Sequence, residues 1–143
     1  MTTNIHSRIA REVALEADHF YDEAKELGKS AFDALTRQKR AQITGLESVA
    51  NTTQKVSDIL NYIKTRAARQ KQWRNEDFSA NLLTFLETSL KQSRDKIVDN
   101  LKDQQLSLTP HQEQEVYILL IRAFIAQLAA QYEFASIQGE PER

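Results

Sequence analysis

The stretch TPHQEQEVYILLIRAFIAQLAAQYEFAS, from Thr109 to Ser136, decides the fold of this chain. Thr109 is typical of a helix N-cap, Pro110 suits the first helical position, and Gln112 stands where a capping-box partner belongs. Beyond them, apolar residues cover almost every side of the predicted helix, at Val116, Leu119, Leu120, Ala123, Phe124, Leu128 and Tyr132. A helix that is apolar nearly all round has to be enclosed by other elements. We therefore predict that it is the most buried element of the protein.

Glycine and proline are scarce in the chain as a whole. Its 143 residues include three glycines and two prolines, too few for the turns of a sheet protein. Alanine, leucine, glutamine, glutamate, lysine and arginine dominate, and these residues favour helices. We predict one all-α domain over residues 1–143, a compact bundle of four to five helices, one or two of them long. Residues 1–4 and 138–143 are expected to be frayed.

Apolar residues at three- and four-residue steps predict two more helices. The first is predicted from Ile5 to Leu27, with Gly28 ending it as a left-handed cap. Another is predicted to begin at Asn75 as N-cap and to continue past Ile97, before a loop over residues 104–108.

The segment between them carries concentrated positive charge. From Leu35 to Asn75 nine basic residues stand against two acidic ones, a net charge of +7, whereas the rest of the chain sums to -8. Thr36 is a plausible N-cap for this segment, and residues 51–53 weaken helix propensity within it. The pattern leaves open whether the segment is one long helix or two. Such segregation of charge favours contact with a polyanion, most often nucleic acid phosphates.

When the segment is drawn as one unbroken helix at about 100° per residue, most of its cations lie on one face, opposite the apolar face. Arginine binds two phosphate oxygens with its planar fork, and Tyr62 lies within the same stripe, where it could stack on a base. Trp73 either adds an aromatic contact or, as we favour, anchors a helix corner in the core. The predicted nucleic-acid contacts are Arg37, Lys39, Arg40, Lys55, Tyr62, Arg66, Arg69 and Arg74.

Several other kinds of site are not predicted. The chain has no cysteine, so it has neither a disulfide nor a thiolate metal site. Glu16 and His19 have the spacing used in di-iron bundles, but no second such pair exists, and we interpret them as surface residues. We predict no catalytic residue, metal or cofactor. The apolar stretch Val116–Ala130 is interrupted by Arg122 and Gln127, so no membrane contact is expected.

The run LTRQKRAQI, residues 35–43, opens a basic helix behind a threonine N-cap, and it resembles the start of a helix in the small helical subunits of type III CRISPR effector complexes. The resemblance covers residues 35–74 and the helical order. It implies a cytoplasmic prokaryotic protein of antiviral defence, stacked with copies of itself and other subunits, that holds a target strand by its phosphates. The contacts that it implies are Arg37, Lys39, Arg40, Arg66 and Arg69.

Two functional classes remain open from the sequence. One is a non-catalytic subunit that binds RNA or single-stranded DNA by its backbone within a larger complex. The other is a helical adaptor or regulator whose basic face docks on an acidic protein partner. No base, nucleophile and stabiliser can be assembled from these residues, so an enzyme is the least favoured class.

Overall fold

The structure is a computed structural model and describes residues 4–138, within which every regular element is helical. The elements are α1 (Ile5–His19), α2 (Tyr21–Leu35), a 3₁₀ turn (Arg37–Lys39), α3 (Arg40–Thr52), α4 (Val56–Arg69), a second 3₁₀ segment (Lys71–Asp77), α5 (Phe78–Thr84), a π turn (Phe85–Ser89), α6 (Leu90–Asp103) and α7 (Pro110–Gln138). Because α5, the π turn and α6 follow without a break, they form one continuous helix. The all-α prediction is confirmed, and the described residues form six helices rather than four to five.

The extra helices arise from two breaks that the apolar pattern did not show. The first divides the predicted helix from Ile5 to Leu27 at Phe20, whose buried ring packs edge-on against Phe124 at 5.6 Å between centroids. The prediction that Gly28 ends this helix is wrong, because Gly28 lies inside α2. A Cβ atom on Gly28 would stand 2.5 Å from Cβ of Gln131 and 2.7 Å from the Leu128 carbonyl. Its role is close packing of α2 against α7.

The second break separates α3 from α4 and answers the question that the sequence left open. Residues 53–55 are not helical, so the assumption of one unbroken helix behind the wheel is wrong. The Thr53 hydroxyl accepts from the Lys55 amide at 3.0 Å and donates to Asp58 at 2.6 Å. From α7, Arg122 donates to the carbonyls of Ala50 and Thr53, at 2.7 and 3.0 Å. These bonds satisfy backbone groups that the end of a helix leaves open.

At the centre of the bundle, α7 packs against α1, α2, α3 and α6. The predicted capping box is confirmed. The backbone amide of Gln112 donates to the Thr109 hydroxyl at 3.1 Å, and the side-chain oxygen of Gln112 accepts from the backbone amide of Thr109 at 2.9 Å. Ten of the 29 residues of α7 are buried, and Phe124 and Leu128 are fully enclosed, but the shorter α2 buries six of 15, a larger share, contrary to the prediction. The length and composition of α7 would suit a membrane span, but half of its most apolar stretch is buried inside the bundle.

Three connections contain residues at positive φ, and two of them bear on the predicted helix caps. Thr36 has φ 53° and ψ -166°, a conformation that a β-branched residue rarely adopts, and its carbonyl accepts a hydrogen bond from the Tyr132 hydroxyl. The prediction of Asn75 as a helix N-cap is wrong: Asn75 is extended, Glu76 and Asp77 are left-handed, and α5 begins at Phe78.

The terminal residues at 1–3 and 139–143, most of the ends expected to fray, lie outside the described residues. Of the remainder, Asn4 caps α1 through its side chain and Gln138 closes α7.

Candidate nucleic-acid interface

The α3–α4 hairpin determines where the cations of the central segment lie. The Tyr62 hydroxyl donates to the Gln42 carbonyl at 2.7 Å, which places the second half of α4 beside the start of α3. The Trp73 indole donates to the Gln42 side chain at 2.6 Å and so brings the next segment to the same end. We call this end of the hairpin the basic corner, made of Arg37, Lys39, Arg40, Arg66, Arg69 and Arg74. The predicted contact Lys55 lies at the opposite end, in the turn before α4.

Two arginines of the basic corner reach the last turns of α7. Arg37 donates to the Ser136 carbonyl at 2.9 Å. Arg40 forms a bidentate ion pair with Glu133, from Nε to Oε1 at 2.9 Å and from Nη2 to Oε2 at 2.8 Å. A cation near the carboxyl end of a helix also interacts favourably with its dipole. Both guanidinium groups remain exposed to solvent beside the last turns of α7.

Arg66 lies on α4, on the other side of α3. Its guanidinium carbon stands 5.0 Å from the centroid of the Tyr62 ring, a cation–π contact. The Tyr62 ring is half-buried and also meets the edge of Trp73 at 6.3 Å between centroids. The Tyr62 hydroxyl and ring are therefore both in contact with other parts of the protein. Tyr62 positions the guanidinium group of Arg66, and part of its ring lies at the surface.

The remaining predicted contacts differ in their surroundings. Arg74 is exposed and donates to the Ala67 carbonyl at 2.8 Å, which holds it at the end of α4. Arg69 and Lys55 are exposed, and Lys39 is half-buried. Trp73 is completely buried, so the prediction that it anchors a helix corner is confirmed.

A groove runs between α3 and α4 beside Arg66. It encloses about 540 Å³ and is lined by Val49, Thr52, Thr53, Asp58, Asn61, Tyr62, Thr65 and Arg66. Most of these side chains offer hydrogen-bond donors or acceptors, and the groove opens widely to solvent. A flat, polar group such as a sugar or base would have room there next to the guanidinium group of Arg66.

Two carboxylates, those of Glu133 and Glu47, lie on or near α3 beside the basic corner. The sequence did not predict the contact of Glu133. Burial raises the pKa of the Glu47 carboxyl, and the charge of Glu133 raises it further. Glu133 is more than 90 residues from Arg40 in the chain, and no local pattern pairs the two. Only the packing of α7 against α3 reveals the contact.

A second polar cluster joins α1 to α6, away from the basic corner. Glu16 receives hydrogen bonds from Ser93 at 3.0 Å and Lys96 at 3.1 Å, and His19 Nδ1 lies 3.2 Å from its carboxylate. Partial burial opposes ionisation of Glu16, but the hydrogen bonds from Lys96, Ser93 and His19 outweigh it and lower the pKa of the carboxyl. The Glu16 side chain is 12% exposed, so it is more enclosed than we expected. Over residues 4–138, no group of three histidines or carboxylates is placed to hold a metal ion.

Comparison of this chain with known protein families, with curated proteins and with solved structures finds no match. The functional argument therefore depends on the residues of the chain and their arrangement.

Proposed function

We propose that this protein is a non-catalytic subunit that binds the phosphate backbone of RNA or single-stranded DNA through the basic corner. The observation that carries the proposal is the α3–α4 hairpin, which gathers six of the nine cations of the central segment at one end of the bundle. Phosphate contacts of this kind position a strand without identifying its bases. Binding should accordingly be insensitive to sequence.

The arrangement of the arginines supports a strand that crosses the start of α3. Arg37 and Arg40 lie on the side of α3 that faces α7, and Arg66 and Arg69 lie on α4. Neighbouring helices pack about 8–10 Å apart, so the two pairs lie on adjacent parts of the bundle, within a distance that a few nucleotides span. Between them, α3 presents the exposed small residues Ala41 and Thr44. A strand could therefore approach closely and meet guanidinium groups on both sides.

The resemblance to small subunits of type III CRISPR effector complexes makes the strand of such a complex the proposed ligand. The protein would then act in prokaryotic antiviral defence in the cytoplasm, beside other subunits and copies of itself. Several copies along one strand would compensate for a weak individual contact, because each bound copy raises the effective concentration of the next.

Removal of the four outer arginines tests this proposal. In the variant with Arg37, Arg40, Arg66 and Arg69 changed to alanine, binding of a fluorescein-labelled oligouridine, followed by anisotropy, should be lost. In wild type, log K should fall with log salt by about 0.7 for each phosphate neutralised on a single strand. Arginine-to-lysine changes should weaken binding less, because charge remains but the planar fork is lost.

The matched control removes the same charge elsewhere, with Lys25, Lys29, Lys91 and Lys102 changed to alanine. These four lysines are exposed and lie outside the basic corner. If both variants lose affinity equally, net charge rather than the basic corner governs binding. The melting temperature of the arginine variant should fall only slightly, since the exposed ion pair of Arg40 contributes at most about 1 kcal/mol and the cation–π contact of Arg66 a similar amount.

One observation favours the adaptor as a second candidate. Arg40 already holds a carboxylate, that of Glu133, in a bidentate bond. An acidic segment of a partner protein could be held in the same way. Polyglutamate that competes with oligouridine at equal charge concentration would support the adaptor, and no competition would favour nucleic acid.

A further inference from the structure

Arg40 and Glu133 form a bidentate ion pair at the basic corner. Two parallel bonds of 2.9 and 2.8 Å join the guanidinium fork to both oxygens of the carboxylate. An arginine takes a phosphate group through the same fork, with two N–H groups directed at two oxygens. Glu133 thus occupies the Nε–Nη2 edge of Arg40, one of the edges at which a phosphate could bind.

The fold gives little reason for this ion pair to be structural. Attachment of α7 to the start of α3 is made one residue earlier, by Tyr132, which is 1% exposed. Its hydroxyl donates to the Thr36 carbonyl, and its ring packs on Phe32 at 5.8 Å between centroids. By contrast, the side chains of Arg40 and Glu133 are 65% and 40% exposed. An ion pair so open to water can separate at small cost.

The negative charge of Glu133 also reaches the neighbouring surface of α3. Glu47 lies two helical turns after Arg40, and the field of Glu133 acts on its carboxyl. A phosphate that approaches Arg40 therefore meets the negative charge of Glu133 as well as the guanidinium group. At the Nε–Nη2 edge of Arg40 it must displace Glu133, and otherwise it meets only the remaining N–H groups of the guanidinium.

We propose that Glu133 is an internal competitor for the phosphate at Arg40 and that it sets the affinity of the basic corner. In the empty protein, the carboxylate holds the guanidinium group in place. When a strand binds, Arg40 exchanges the carboxylate for a phosphate, and Glu133 turns to solvent. This inference rests on the proposed function and adds to it the residue that limits affinity.

The test measures binding of fluorescein-labelled oligouridine to wild type, Glu133→Gln, Arg40→Ala and the double variant over a range of salt. Glu133→Gln should bind about fivefold more tightly, the equivalent of one exposed ion pair no longer opposing the ligand. Its salt dependence should stay as in wild type, because Arg40 neutralises the same phosphate in both complexes. In the Arg40→Ala background, the same change should have a much smaller effect, because the group for which Glu133 competes is gone.

The control is Glu113→Gln, on the same helix but twenty residues away, about 30 Å along the axis. It removes one charge without touching the basic corner and should leave affinity unchanged. If Glu133→Gln does not tighten binding, or tightens it equally without Arg40, the inference is overturned although wild type still binds. If neither wild type nor Glu133→Gln binds, the proposed function itself fails. A melting temperature within the error of wild type shows that each variant is folded.

Discussion

Gly28 lies at a close approach of α2 to α7. Its contact with α7 depends on residues about a hundred positions away, Leu128 and Gln131. A sequence pattern could not reveal that contact, and a glycine near the end of an apolar stripe has the features of a cap. The capping box of Thr109 and Gln112 was predictable, because its partners are three residues apart and the bonds form within one turn.

Gly28→Ala should destabilise the protein by about 1–3 kcal/mol, although alanine is the better helix former by about 1 kcal/mol. The added atom would meet the backbone carbonyl of Leu128, which can move only if α2 and α7 separate. Urea unfolding followed by circular dichroism measures the change. Ser30→Ala in the same helix is the control and should have almost no effect. Unchanged or higher stability of Gly28→Ala would show that α2 and α7 can separate without cost.

Among the elements, α1 packs mainly on α7 and is also joined to α6 by polar groups. Glu16 is the centre of this link, with Lys96 and Ser93 as its partners. Apolar periodicity predicted α1 itself, since Ile9 and Val13 are buried at the expected spacing. It could not predict which helix lies beside α1, because polar partners on different elements leave no shared pattern in the sequence.

Stability should fall in acid partly through Glu16. The pKa of Glu16 is lower in the folded protein than in the unfolded chain, so its contribution is present above the unfolded value and is lost as pH falls through the folded one. Glu16→Gln should therefore reduce stability at neutral pH by up to about 1 kcal/mol and reduce the loss between neutral pH and pH about 3. Thermal unfolding over a pH series, with Glu12→Gln as control, measures this. An equal pH dependence in both variants would exclude Glu16 as a source.

At the scale of the whole molecule, α7 is the central helix of the bundle, because helices from both halves of the chain pack against it. The all-α fold and the burial of α7 were predictable from composition and from one stretch of sequence. Of the candidate interface, the cations were predictable but their grouping was not. The grouping depends on the break at residues 53–55 and on α7, which supplies Glu133 and Ser136 as partners.

Phe124→Ala should cost about 3–5 kcal/mol by leaving a cavity at the middle of α7. The Phe124 ring is fully buried and stacks on Phe85 at 4.5 Å between centroids. The loss should appear in urea unfolding as one earlier transition for all helices, since each packs directly or through a neighbour on α7. Phe134→Ala is the matched control on the same helix, where the ring is 53% exposed and the cost should stay below about 1 kcal/mol. Two separate transitions would show that the bundle is not one cooperative unit.

The buried Trp73 gives the basic corner an optical reporter of its own. It is the only tryptophan in the chain, and its indole lies between the rings of Tyr62 and Phe78 while bonded to Gln42. Excited selectively, it should emit at the short wavelengths of an apolar surrounding. Its emission follows the junction of α3, α4 and the segment before α5 rather than the protein as a whole. Fluorescence can thus distinguish a strand that rearranges this junction from one that rests on its surface, without any label.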